Sequence, residues 1–283
     1  GVREASRAPG SARAPAATRL DPPRPSASAY EHLRRCPYRF FALRQLGLRE
    51  AEELESELGK RDFGLWLHAV LKVFHDRLKA SPAQDPGTRL VLINTAADEV
   101  TQTMHLAEDE FLPFIAAWPR VRAGYLKWLT EHEAGAAHFD EAERWQELPL
   151  GSLALVGRID RIDQISANDA APAGVMVIDY KTEPLAVTRG RVKTPFEDTQ
   201  LAFYAALLPH DSLRAAYVNV GERDGTRLVE QKDVVAVRDA LIEGILHDMS
   251  RIADGAAMPA MGEGSACEFC AARGLCRKDF WES

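Results

Sequence analysis

Cys36 stands alone near the start of the chain, 231 positions before Cys267, Cys270 and Cys276, which are spaced C-x2-C-x5-C. These are the only four cysteines in 283 residues. Four thiols in a one-plus-three pattern suit a single tetrahedral sulfur site, and such a site requires the two ends of a domain to meet. It takes either zinc or an iron–sulfur cluster. Two disulfides are the competing use. Nothing in the sequence suggests an oxidising compartment, however, and C-x2-C favours metal in a reduced cytoplasm. Thiolates alone do not choose the metal, although zinc ribbons usually pair C-x2-C with C-x2-C and fit x5 spacing poorly.

Between the cysteines lies a second signature: Asp160 in G-R-I-D-R-I-D, then Asp179 and Lys181 in V-I-D-Y-K-T. On a strand, Asp179 and Lys181 point to the same face and Tyr180 to the other. If the preceding strand pairs with this one, Asp160 reaches the same side. Two converging carboxylates make a site for Mg²⁺ or Mn²⁺ with positions left for water and phosphate oxygens. Lys181 would orient or help deprotonate the attacking water, or stabilise a pentavalent phosphate. Together the residues point to metal-dependent phosphodiester hydrolysis. A buried Asp–Lys ion pair is the bland alternative.

Length and composition suit one sizeable domain plus a tail, with 46% apolar residues available for a core. No apolar run approaches the ~20 residues that cross a bilayer, and no signal-like segment opens the chain. The net charge of −7 argues against coating DNA by bulk electrostatics. It leaves a nuclease open, because a bound divalent ion supplies positive charge at the scissile phosphate. Two basic clusters, Arg34, Arg35 and Arg39 and then Arg189, Arg191 and Lys193, would follow a backbone or simply be solvated.

Residues 1 to about 25 are rich in Ala, Pro, Arg and Ser without periodicity, which is linker composition. The first residue, Gly1, suggests a processed product or a piece of something larger. From Ser28 a helical face forms, carrying Tyr30, Leu33, Tyr38, Phe41 and Leu46, with Ser26 or Ser28 as caps and Cys36 at or in a break before Pro37. A second helix is expected over 60–80, and two more over 90–134, broken near Pro113 or Pro119. Strands are expected over 143–150 and 153–165 about a Gly151–Ser152 turn, and a doubly buried strand over 174–181. A helix from about 197 to 208, strands near 213–220 and 227–232, and a helix over 233–254 complete the pattern.

The D…D-Y-K arrangement resembles the PD-(D/E)XK nuclease superfamily, and more narrowly its RecB-like branch. Q-L-A-F-Y, with Gln200 and Tyr204 one turn apart, is similar to the branch's Q-x3-Y motif on the helix after the lysine strand. L-W-L-H-A-V-L resembles the upstream helix whose histidine, here His68, helps hold the metal. The bland readings are a core histidine bonded to a backbone carbonyl for His68 and a helix-surface pair for Gln200 and Tyr204. S-A-S-A-Y-E-H-L-R-R-C-P-Y-R-F-F and C-E-F-C-A-A-R-G-L-C look like the iron–sulfur staple of AddB-type nuclease domains. The resemblance covers roughly residues 26 to 280 and lacks a helicase motor. His75 reads as a solvated neighbour, Glu147 as a possible extra acid near the metal, and Arg158 as a phosphate contact or charge balance.

The resemblance implies an α/β fold, with a restriction-endonuclease-like mixed central sheet flanked by helices, a helical N-terminal insertion and a cysteine staple. The helical part would occupy about 26–140, the catalytic core about 141–255 and the cysteine cluster 267–276. It also implies a divalent-metal DNA nuclease, an exonuclease processing double-strand-break ends in recombinational repair. Asp160, Asp179, Lys181, Gln200 and Tyr204 would be catalytic, and His68, Asp160 and Asp179 would hold Mg²⁺ or Mn²⁺. Cys36, Cys267, Cys270 and Cys276 would bind a structural [4Fe–4S] cluster, with zinc the competitor. Implied partners are DNA and a helicase domain or partner subunit, in the cytoplasm at the nucleoid and away from membrane. A CRISPR-adaptation nuclease of the same fold and a non-catalytic DNA-end-binding module are the alternatives.

Overall fold

The structure, a computed structural model, describes residues 14–16, 24–48, 59–106, 108–167, 172–268, 270–276 and 278. Contacts divide the chain into two units: residues 1–53, 149–155 and 243–283 form one, and 54–148 with 156–242 the other. Most of the segment expected to be a linker lies outside the described residues. Of it, Pro15 accepts a backbone hydrogen bond from Met258 at 2.8 Å, and Ala16 bridges Ala257.

In the first unit, α1 (Ala27–Arg35) starts where the Ser26 hydroxyl accepts from the Ala29 N–H at 3.2 Å. It buries Ala29, Tyr30 and Leu33. Cys36 interrupts the helix in an extended conformation, and Pro37 opens α2 (Pro37–Phe40), a position where a missing N–H costs nothing. A single π turn, Phe41–Gln45, follows. That wider turn rotates the apolar face, so Leu46 is 51% exposed rather than buried as its spacing predicts.

In the second unit, α3 (Lys60–Ala80) and α4 (Pro86–Thr103) precede α5 (Glu108–Ala134). The break expected at a proline falls instead at Met104–Leu106, where His105 takes φ +53°. α5 runs through both Pro113 and Pro119. A proline inside a helix costs ~3 kcal/mol, but each buried large side chain returns ~1.5–3 kcal/mol. α5 buries Phe111, Trp118, Val121, Tyr125, Trp128 and Leu129.

Among the described residues five strands follow, in the spatial order β1 (Ala137–Leu150), β2 (Leu153–Ile165), β3 (Gly174–Lys181), β4 (Leu213–Val220) and β5 (Thr226–Gln231). The tip of the β1–β2 hairpin groups with the first unit. β3 pairs antiparallel with β2 and parallel with β4, making the sheet mixed. The parallel pair needs a crossover, which carries α6 (Leu185–Arg191) and α7 (Gln200–Leu207). Met176, Ile178 and Tyr180 of β3 join the core formed by α3, α4 and α5. Added at Gly157, a Cβ would stand 2.7 Å from Leu207 of α7, so the glycine permits that helix to approach β2. α8 (Val234–Ala253), α9 (Ser265–Glu268) and α10 (Arg273–Cys276) are the remaining elements among the described residues.

Candidate active site

The acids converge through strand pairing. Antiparallel β2 and parallel β4 flank β3, and Asp160 accepts the Tyr180 N–H on Oδ2 at 2.9 Å, which fixes one acid directly beside the backbone between Asp179 and Lys181. Asp160 and Asp179 are 8% and 2% exposed. Burial, reinforced by the Asp179 charge, pushes the Asp160 carboxyl up to about 8. Burial also raises Asp179, against the opposing pull of Lys181.

Asp179 is held from both sides. Its Oδ1 accepts from Gln200 Nε2 at 2.7 Å, and Lys181 Nζ lies 2.7 Å from its Oδ2. That second contact is a close ion pair, and among the described residues Oδ2 has no other polar partner. Gln200 also accepts from Lys181 Nζ at 2.8 Å and donates to the Tyr204 hydroxyl at 3.2 Å. Every residue of α7 after Gln200 is buried, so Gln200 and Tyr204 are not a helix-surface pair. Lys181 Nζ sits 5.1 Å from the centroid of the Tyr217 ring.

His68 comes from α3. Its Nε2 is 3.3 Å from the Tyr180 carbonyl oxygen, and its Nδ1 is 3.4 Å from Asp160 Oδ2 and 3.8 Å from Glu143 Oε1. Burial opposes a charge on this ring, but Glu143, Asp160 and Asp179 outweigh it and lift His68 to about 9. His68, Glu143 and Asp160 each offer a ligand atom within 4.8 Å of the others, the only such trio among the described residues. A cation there would replace the proton shared by the histidine and the acids. Asp179 lies outside that trio, but its charge acts on both Asp160 and His68, and one imidazole with hard carboxylate oxygens fits Mg²⁺ or Mn²⁺.

The third acid is Glu143 rather than Glu147, which is exposed. Glu143 has φ +52° inside a strand, a left-handed conformation that breaks side-chain alternation. Arg158 stands 3.7 Å from Glu143 Oε2. His75 is also unlike its expectation. It is 1% exposed and packed against the buried Arg161, because the broad inner face of α3 extends past Phe74. Arg191 is committed to Glu183 at 2.6 Å and to Asp198 at 2.5 Å, which removes it from the expected basic patch.

The four cysteines all belong to the first unit. A Cβ at Gly262 would lie 3.1 Å from Cys267 Sγ, 3.4 Å from Cys36 Cβ and 3.7 Å from Cys36 Sγ, so a glycine is needed where these thiols meet. Burial, then the nearby Cys36, Cys267 and Cys270, raises the Cys276 thiol. Among the described residues, no three of the sulfurs lie within 4.8 Å of one another. The donor set fits a thiolate-bound group.

Residues 24–277 match the family model of the PD-(D/E)XK nuclease superfamily. An ATP-dependent helicase/deoxyribonuclease subunit from Desulforudis audaxviator is 32% identical over 183 residues, 56% of this chain and 15% of that protein. A protein of the same name from Heliobacterium modesticaldum is 29% identical over 234 residues, 74% of this chain and 17% of its own. The chain therefore spans less than a fifth of either relative. With the mixed sheet, the flanking helices and a family match across nearly all the described residues, this chain belongs to the PD-(D/E)XK nuclease superfamily.

Proposed function

We propose that the chain hydrolyses phosphodiester bonds in DNA with a Mg²⁺ or Mn²⁺ held by His68, Asp160 and Asp179, and that it works as an exonuclease on double-strand-break ends. The observation that carries this reading is Lys181 at 2.7 Å from the buried Asp179, on the strand whose backbone secures Asp160. When bound, the cation would acidify a water and offset charge growing at phosphorus. Lys181 holds a proton at Nζ and orients the attacking water or the developing oxyanion. Gln200 restrains that amine through its Oε1 and Asp179 through its Nε2, and Tyr204 restrains the amide in turn.

The names of the two relatives support a helicase as partner, supplied by another part of the same polypeptide or by a second subunit. No helix among the described residues is long and apolar enough to cross a membrane. The proposed setting is the cytoplasm, at the nucleoid. The cysteines are assigned a structural [4Fe–4S] cluster. The x5 spacing, which four-cysteine zinc ribbons fit poorly, supports the larger group.

The test is digestion of end-labelled single- and double-stranded DNA by wild type and Asp179→Ala, with Mg²⁺, Mn²⁺ or excess chelator. Cleavage confined to wild type with cation is expected. Equal cleavage by the variant, or by wild type in chelator, would overturn the assignment. Internal cleavage of circular DNA would remove the exonuclease part.

A further inference from the structure

Tyr125 of α5 is fully buried, and its hydroxyl meets one side chain from each of the three elements that carry the proposed cation ligands. His75 Nε2 of α3 lies 2.6 Å from it, the Tyr180 hydroxyl of β3 2.9 Å and Arg161 Nη1 of β2 3.1 Å. Arg161 follows Asp160, Tyr180 follows Asp179, and His75 stands about two helical turns after His68 on the same side of α3. Side chains alternate along a strand, so Arg161 and Tyr180 leave the sheet on the face opposite the acids.

The protons around the Tyr125 oxygen have one consistent arrangement. A guanidinium has donors only, and Arg161 Nη1 lies 2.8 Å from His75 Nε2, so this nitrogen presents its lone pair. Tyr125 therefore donates to His75. Its oxygen accepts from Arg161 and, on the remaining lone pair, from the Tyr180 hydroxyl. The donor and both acceptor sites are used, one toward each element.

The arms are themselves held. Buried Arg161 donates from Nε to Asp163 Oδ1 at 2.6 Å, and Asp163 Oδ2 lies 2.7 Å from His132 Nε2, about two turns after Tyr125 on α5. α5 thus contacts β2 through two polar groups. Tyr180 donates its backbone N–H to Asp160, and its carbonyl oxygen lies 3.3 Å from His68 Nε2. A shift of Tyr180 would therefore move Asp179 through the backbone and disturb Asp160 and His68 through these contacts. In a dry interior such a network, once fully satisfied, resists displacement. We infer that Tyr125 is a positioning residue for the cation site: through Arg161, Tyr180 and His75 its hydroxyl fixes the spacing of Asp160, Asp179 and His68 while touching neither cation nor DNA.

This role rests on the proposed cation site, so the full chain is titrated with Mn²⁺ by electron paramagnetic resonance, without DNA and well below its melting temperature. Tyr125→Phe keeps the ring in the core and removes only the oxygen. It should weaken Mn²⁺ binding by roughly tenfold or more and alter the spectrum of the bound ion. Single-turnover cleavage should slow by a similar factor, while DNA affinity measured in chelator stays unchanged. Tyr180→Phe severs only the β3 arm and should act in the same sense; it decides the matter if Tyr125→Phe does not fold. Thr101→Val is the control, because it removes the acceptor of the buried Trp66 Nε1–H, 2.9 Å away and outside this network. It should lower the melting temperature and leave Mn²⁺ affinity at the wild-type value. Wild-type Mn²⁺ affinity in both tyrosine variants, or equal weakening by Thr101→Val, would overturn the inference and leave the cation site standing. No Mn²⁺ bound by wild type would remove the cation site and this role together.

Discussion

Lys181 Nζ lies 2.7 Å from Asp179 Oδ2, and its charge opposes the effect of burial on that carboxyl. The amine also donates to the Gln200 carbonyl oxygen at 2.8 Å, while the Gln200 amide donates to Asp179 Oδ1 at 2.7 Å. Lysine, aspartate and glutamine thus form a closed ring of contacts that fixes the amine beside the acids. In the proposed mechanism Lys181→Ala therefore slows turnover by a factor on the order of 10² or more while DNA affinity changes far less. Gln200→Ala should slow it by a smaller factor through loss of placement. Single-turnover rates with separately measured DNA binding check this, and affinity falling in step with rate would make Lys181 a phosphate anchor.

Glu143 takes φ +52° within β1, and its carboxylate faces His68. A left-handed non-glycine residue costs ~1–3 kcal/mol, so it persists where surrounding structure enforces it. If the acid supports the cation, Glu143→Gln keeps shape and removes charge, and should lower Mn²⁺ affinity on the order of tenfold. Glu147→Gln, changing the exposed acid on the same strand, should leave it unchanged. Manganese titration followed by electron paramagnetic resonance distinguishes them. Equal affinities for Glu143→Gln and wild type would return Glu143 to a partner of Arg158 alone.

Proton linkage gives a prediction with a definite sign. Asp160 is raised to about 8 and His68 to about 9 in the fold, so each binds a proton more tightly there than in the unfolded chain. Their contribution to stability is complete below the unfolded values of about 3.9 and 6.5, and is lost as pH rises through the folded ones. In chelator, stability from these groups should decline between about pH 4 and 9. A cation displaces those protons, so its stabilising effect should grow over the same window. Melting temperatures with Mn²⁺ and with chelator should be closer together at pH 6 than at pH 9. An equal gap at both would remove the coupling.

What was legible in the sequence follows a physical divide. Side chains placed by regular elements were readable: Asp179 and Lys181 share a strand face, and Gln200 and Tyr204 share a helix turn. The structure brings these two pairs together, with Asp160 and His68 beside them. Glu143 was not readable, because alternation has no means of anticipating one left-handed residue in a strand. His75 reads from the sequence as a solvated neighbour, since the buried Arg161 that explains its burial lies 86 residues away. α6 escaped notice because it is seven residues long and buries only Leu185 and Thr188. The prolines of α5 misled through local propensity, which tertiary burial overrode.

The cysteine site makes the most separable prediction. A cluster bound by Cys36, Cys267, Cys270 and Cys276 closes a loop of more than two hundred residues. By analogy with a disulfide, restricting so long a loop in the unfolded chain is worth ~4–5 kcal/mol in the chain-entropy model, and metal–thiolate bonding adds to it. That is comparable with the whole stability of a typical domain. Cys36 is buried and Gly262 is packed against it, so its removal leaves both a missing ligand and a small void. Cys36→Ala should bleach the visible absorbance of anaerobically purified protein, lower its iron content and melting temperature, and open both ends to protease. Asp179→Ala should keep colour and iron while losing cleavage, because the acid lies in the other unit. If Cys36→Ala retains the wild-type spectrum and iron content, Cys36 is not a ligand and the ends are held by packing alone. If wild type carries zinc in place of iron, the loop argument stands and the [4Fe–4S] assignment falls.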